Sequence, residues 1–143
     1  MHPTLTRIIF LLFTLPALGQ TGSAVAVPIL RGAELPIYPP IAMAARITGK
    51  AVVRVTVKDG LVAQADVQSN PALPPGHQFL DSPTVANLKT WRFDARVAAI
   101  FRVTYTYEIA GDPTDDPTNA RVEMLPSLDV KITARPVKPT VNS

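Results

Sequence analysis

The chain has 143 residues, no cysteine and a formal net charge of +3. That length suits one domain on the usual scale of about 100–200 residues, and without disulfides such a domain must rest on its core alone. The charge is too small and too evenly spread to argue for nucleic acid or an acidic membrane, and the missing thiol excludes a lipid attached through an N-terminal cysteine.

Arg7 precedes an apolar run from Ile8 to Leu15, which Pro16 and small residues then close. A positive start, a short apolar core and a small-residue site are the order of a secretory signal. Residues 1–19 are therefore expected to be a signal peptide cut after Gly19, with Ala24-Val25-Ala26 as a second candidate site. The run is about half of the roughly 20 apolar residues that a spanning helix needs. An uncleaved membrane anchor is the alternative.

Residues 20–34 read as a flexible lead-in broken by Pro28 and Gly32. Order is expected from Leu35. Pro39 and Pro40 suit the first turn of a helix, which Ile41 to Arg46 continue and Gly49 stops. Ala51, Val53, Val55 and Val57 then alternate on one strand face. Asp59-Gly60 follows, and Ala63, Ala65 and Val67 return on a second strand; two alternating runs around Asp-Gly predict a hairpin. Asn70-Pro71 ends it. Asp81 or Ser82 is expected to cap a helix beginning at Pro83, with Val85, Leu88 and Trp91 over the sheet and Asn87 elsewhere. Phe101, Val103, Tyr105, Tyr107 and Ile109 alternate with polar residues, the pattern of a one-sided antiparallel strand. Residues 111–119 form a Pro- and Asp-rich loop. In the extension 120–143, residues 121–124 suggest a short strand and 128–135 a clearer one.

Four landmarks stand in order: Tyr38-Pro39 before a short helix, Gly49 and the hairpin with Asp59-Gly60, a helix ending in Trp91-Arg92-Phe93, and the alternating strand 101–109. Over residues 35–110 the chain thereby resembles the C-terminal domain of TonB-type energy transducers. The resemblance implies an α+β fold: a small antiparallel sheet of hairpin plus third strand, with helices on one face; residues 128–135, which depart from the family pattern, would add a fourth C-terminal strand. It also implies a periplasmic, non-enzymatic domain that adds a segment of an outer-membrane receptor or other envelope protein to its sheet. The edge used would be the last strand of the domain, Phe101, Arg102, Val103, Thr104, Tyr105, Thr106, Tyr107 and Glu108. The residues Tyr38, Pro39, Gly49, Asp59, Gly60, Trp91, Arg92 and Phe93 would be mainly structural. The same open edge would admit a second copy as a strand-swapped homodimer.

A full transducer carries a long arm to an inner-membrane motor. Here the lead-in, residues 20–34, is only 15 residues long, reaching about 50 Å when extended. The expectation is an adaptor that binds; a membrane-anchored transducer is the alternative. If residues 128–135 pair with 101–109, they would guard that edge.

No cofactor or metal is expected. His77 lacks a second histidine or a cysteine beside it and reads as a solvated loop residue. Asp112, Asp115 and Asp116 lack the ligand spacing of a calcium loop. With no acid, base and nucleophile set, a small envelope enzyme or ligand-binding protein is the weakest reading. Trp91 is expected to plug the core, its N–H reaching a backbone carbonyl.

Overall fold

The computed structural model describes residues 27–68, 75–116 and 120–141. The expected leader and the Asn70-Pro71 break lie outside them. The elements are β1 (Leu30–Gly32), α1 (Pro40–Ala44), β2 (Gly49–Lys58), β3 (Leu61–Val67), α2 (Gln78–Leu88), β4 (Arg92–Phe93), β5 (Ala99–Ile109), β6 (Arg121–Met124) and β7 (Val130–Ala134). The expected small sheet is in fact one of seven strands, in the order β1-β4-β3-β2-β5-β7-β6. Neighbouring strands are antiparallel except β5 and β7, which run parallel. Two of the added strands were expected as a flexible lead-in and a helix end: Leu30 pairs with Phe93, and Arg92 with Leu61. No helix among the described residues is long and apolar enough to cross a membrane.

The β2–β3 hairpin turns where expected. Asp59 and Gly60 have φ of +53° and +75°, the pair of positive angles that a two-residue turn of matching twist requires. A Cβ on Gly60 would lie 2.6 Å from the Asp94 carbonyl oxygen, so sterics and backbone angle both demand glycine. One face assignment changes. A bulge after Thr56↔Gln64 brings Val57 opposite Val62. Val62, Ala65 and Val67 pack against the core, and Ala63 is exposed. An extra residue reverses the alternation beyond it.

Helix α2 starts five residues before Pro83. The proline lies inside the helix, where it lacks the N–H that would bond back four residues. Burial offsets that loss, since the preceding turn carries Leu80 into the core with no exposure. At the other end the helix stops at Leu88. Arg92 leaves it as a strand residue and donates Nη1 to the carbonyls of Lys89 and Trp91, each at 2.9 Å. A cation on the final carbonyls of a helix caps it and complements its dipole.

The core lies between α2 and the inner face of the sheet. Ala51, Val53 and Val55, with Val103, Tyr105 and Ile132, have no exposed surface, nor has Trp91. Trp91 stands 6.3 Å from Tyr105 and 6.2 Å from Phe93, and Phe93 meets Phe101 edge-on at 5.8 Å. The aromatic landmarks therefore form one cluster, and Trp91 plugs the core as its composition suggested. Tyr38 belongs to a second contact, edge-on to Tyr107 at 5.4 Å, and donates its hydroxyl to the Ile47 carbonyl.

Candidate protein-binding edge

A sheet edge binds a segment only where its outward N–H and C=O groups are unpaired. The direction of each group on β5 follows from strand alternation. Thr104 N–H donates away from β2, to Asp129 Oδ1 at 2.7 Å, and Ala110 N–H donates to the Ala134 carbonyl at 2.9 Å. Even-numbered residues of β5 therefore turn their backbone groups outward, and odd-numbered residues turn theirs to β2.

The outward side of β5 is divided. From Tyr105 to Ile109 it is paired with residues 130–134 of β7. The strand expected from residues 128–135 thus lies against the expected binding edge, but over only its second half. Across residues 99–103, no strand among the described residues lies beyond β5. Ile100 and Arg102 carry the outward groups there. Asp129 closes the covered half: Oδ1 takes the Thr104 N–H, and Oδ2 accepts the Ser127 hydroxyl at 2.8 Å.

The expected edge residues consequently fall into three groups. Val103, Tyr105 and Tyr107 point into the core; Phe101 is half-buried on the same face. Thr104, Thr106 and Glu108 are half-buried on the other face, with Glu108 3.0 Å from Lys131 on β7. Arg102 is exposed on the open stretch, directly across from Arg54 of β2. Because Arg102 turns its backbone outward, this pair is not hydrogen-bonded through the backbone, the geometry that brings opposed side chains closest.

Polar groups beneath the edge hold β5 in place. Asn87, expected away from the sheet, is buried on α2 against β5. Its Oδ1 accepts the Tyr105 hydroxyl at 2.6 Å and the Trp91 Nε1–H at 3.4 Å, and its Nδ2 donates to the Glu34 carbonyl at 2.8 Å. Trp91 thus reaches a side-chain amide and not the expected backbone carbonyl. The Tyr107 hydroxyl lies 2.8 Å from Thr84 Oγ1, which donates to the Leu80 carbonyl at 2.6 Å. Burial of the phenols pushes Tyr38 and Tyr107 up to about 12 and Tyr105 higher still.

His77 is also corrected. It is 7% exposed and not solvated. Its Nε2 lies 2.5 Å from the Lys50 carbonyl, an acceptor only, so this nitrogen carries a hydrogen and donates. Nδ1 stands 3.4 Å from Asp81 Oδ1. The histidine ties the start of α2 to β2, and its ring fills the space above Gly49, 3.4 Å from where a Cβ would lie. Among the described residues no group of three metal-ligating side chains converges.

A family model for the Gram-negative bacterial TonB protein C-terminal matches residues 34–110, more than half of the chain. No curated protein and no solved structure matches it significantly. The matched span ends one residue after β5. Strand β7, which covers half of that strand's edge, and β6 beyond it lie wholly outside the span.

Proposed function

The chain belongs to the TonB C-terminal family, and from that premise we propose that it is a periplasmic adaptor that binds an extended segment of an outer-membrane receptor or other envelope protein by strand addition. The observation that carries this reading is the open half of β5. The outward groups of Ile100 and Arg102 have no strand partner among the described residues, in a fold whose other β5 edge positions are paired. An incoming segment that pairs there satisfies them, at the cost of ordering only a few residues.

The binding edge is accordingly narrower than residues 101–108. It comprises residues 99–103, bounded by Asp129. Strand β7 acts as a fixed guard over the remainder, because Leu128, Val130, Ile132 and Ala134 belong to the core. Fully burying a Val, Leu or Ile side chain stabilises by about 1.5–3 kcal/mol. Displacing three such residues to free the family's whole edge would cost more than a short segment returns.

The test is site-specific photo-crosslinking in a Gram-negative host. A crosslinker at Ile100 should yield an adduct with an envelope protein, and one at Thr106 should not. Adducts at Thr106 alone would mean that β7 moves aside. Adducts at neither position would remove the strand-addition reading.

A further inference from the structure

Strand β6 is the outermost strand of the sheet at the end where the extension lies, and its edge is self-complementary. The Leu125 N–H donates to the Asp129 carbonyl at 2.8 Å, in register with the β6–β7 pairing. Odd-numbered residues of β6 therefore turn their backbone groups to β7. Val122 and Met124, and Ala120 just before the strand, turn theirs away from the sheet. Among the described residues no strand lies beyond them.

Side chains alternate with the same period. Arg121 and Glu123 stand opposite Thr133 and Lys131 on the outer face, and Val122 stands opposite the buried Ile132 on the inner face. Within one chain Arg121 Nη2 lies 2.8 Å from its own Glu123, with the Arg121 side chain 76% exposed. Such an exposed pair contributes little. Met124 is 45% exposed at the same edge.

We infer that β6 pairs antiparallel with β6 of a second copy of this chain, about a two-fold axis through Val122. In that register Val122 faces Val122 of the partner, and Ala120 faces Met124. All of these residues have outward backbone groups, so each facing pair can exchange two hydrogen bonds. The same register sets Arg121 directly opposite the partner's Glu123, and Glu123 opposite the partner's Arg121.

Backbone and charge thus select one register independently. Each resulting row alternates in sign across the junction: the partner's Arg121, then Glu123, Lys131 and Glu108. Glu123 and Lys131 are cross-strand neighbours, and Lys131 is ion-paired with Glu108. Directly opposed unlike charges stabilise a strand pair, and like charges destabilise it. On the inner face Met124 gains cover from the partner's Ala120. The pairing buries a short edge, so the dimer is weak and reversible. It uses neither residues 99–103 nor any part of the family-matched span.

Sedimentation velocity of the chain over a concentration series tests the inference, alongside three variants checked for unchanged circular dichroism. Val122→Pro removes an N–H that the β6–β7 ladder does not use, and proline is tolerated on edge strands; it should abolish the dimer. Arg121→Glu sets like charges against the partner's Glu123 and should weaken it about tenfold. Arg121→Glu combined with Glu123→Arg restores complementarity across the axis and should recover much of that loss. A chain that stays monomeric at every concentration overturns the inference. So does a dimer indifferent to Val122→Pro, which must use another surface.

Discussion

Replacing Asn87 with alanine removes the polar group beneath β5, the strand proposed to bind. Two short hydrogen bonds disappear, to the Tyr105 hydroxyl at 2.6 Å and the Glu34 carbonyl at 2.8 Å, with a longer one from Trp91 at 3.4 Å. A typical intramolecular bond contributes about 0.5–1.5 kcal/mol net, and a buried donor left without an acceptor costs about 1–3 kcal/mol more. Tyr105 is fully buried, so its hydroxyl has no water to turn to. The expected loss is about 3–5 kcal/mol, a large part of the roughly 5–15 kcal/mol by which domains are stable. Urea denaturation measures it, and the double-mutant cycle with Tyr105→Phe isolates the central bond. Removing the stranded hydroxyl should make the double variant less damaged than the sum of the singles, with a coupling of about 1–2 kcal/mol. An Asn87→Ala loss below about 1 kcal/mol, or strict additivity with Tyr105→Phe, would refute the assigned network.

Gly60→Ala meets both a positive φ and a 2.6 Å approach to the Asp94 carbonyl. It should destabilise by at least about 2 kcal/mol in the same denaturation assay. His77→Ala loses the bond to the Lys50 carbonyl and should cost about 1–3 kcal/mol, with the amides at the start of β2 exchanging faster. Truncating the chain before residue 120 exposes Tyr105 and Tyr107 along the uncovered edge. It should give an unstable, aggregating protein and not a better binder. In alkali, burial holds the Tyr38 and Tyr107 phenols at about 12 against 10.0 for free tyrosine. The unfolded chain then releases protons first, so stability is intact below pH 10 and falls as pH rises towards 12. Tyrosinate absorbance should rise together with unfolding, and Tyr107→Phe should reduce the slope.

Much of the sheet was legible because period-two alternation is a direct consequence of strand geometry. Residues 51–57 and 101–109 alternate without interruption, and Asp59-Gly60 has the chemistry its turn requires. The failures arise where tertiary contacts decide. The bulge opposite Thr56 and Val57 has no local mark, so Val62 and Ala63 exchange faces. Pro83 read as a helix start, yet burial of Leu80 extends the helix through it. Arg92 and Phe93 looked like a helix end and became a strand, because pairing with residues on β1 and β3 outweighs one more helical turn.

The site was half visible. The strand proposed to bind could be read as a strand from its pattern, and so could the segment that comes to lie beside it. Which half of the edge stays open could not. That depends on the offset between β5 and β7 and on Asp129, an unremarkable acidic residue in sequence that takes the Thr104 N–H. His77 and Asn87 failed for a common reason. Polar residues on loops and helices are mostly exposed, and only the fold supplies the carbonyls and hydroxyls that let these two be buried.

Amide hydrogen exchange at Ile100 and Arg102 tests the central claim most directly, measured alone and with a peptide copied from the segment captured by a crosslinker at Ile100. In the free chain both amides should exchange fast, while Thr106 and Glu108, facing β7, exchange slowly. Adding the peptide should protect Ile100 and Arg102 and leave Thr106 and Glu108 unchanged. Protection that never reaches Ile100 and Arg102, or binding that strips protection from Thr106 and Glu108, would contradict strand addition at the open half of β5.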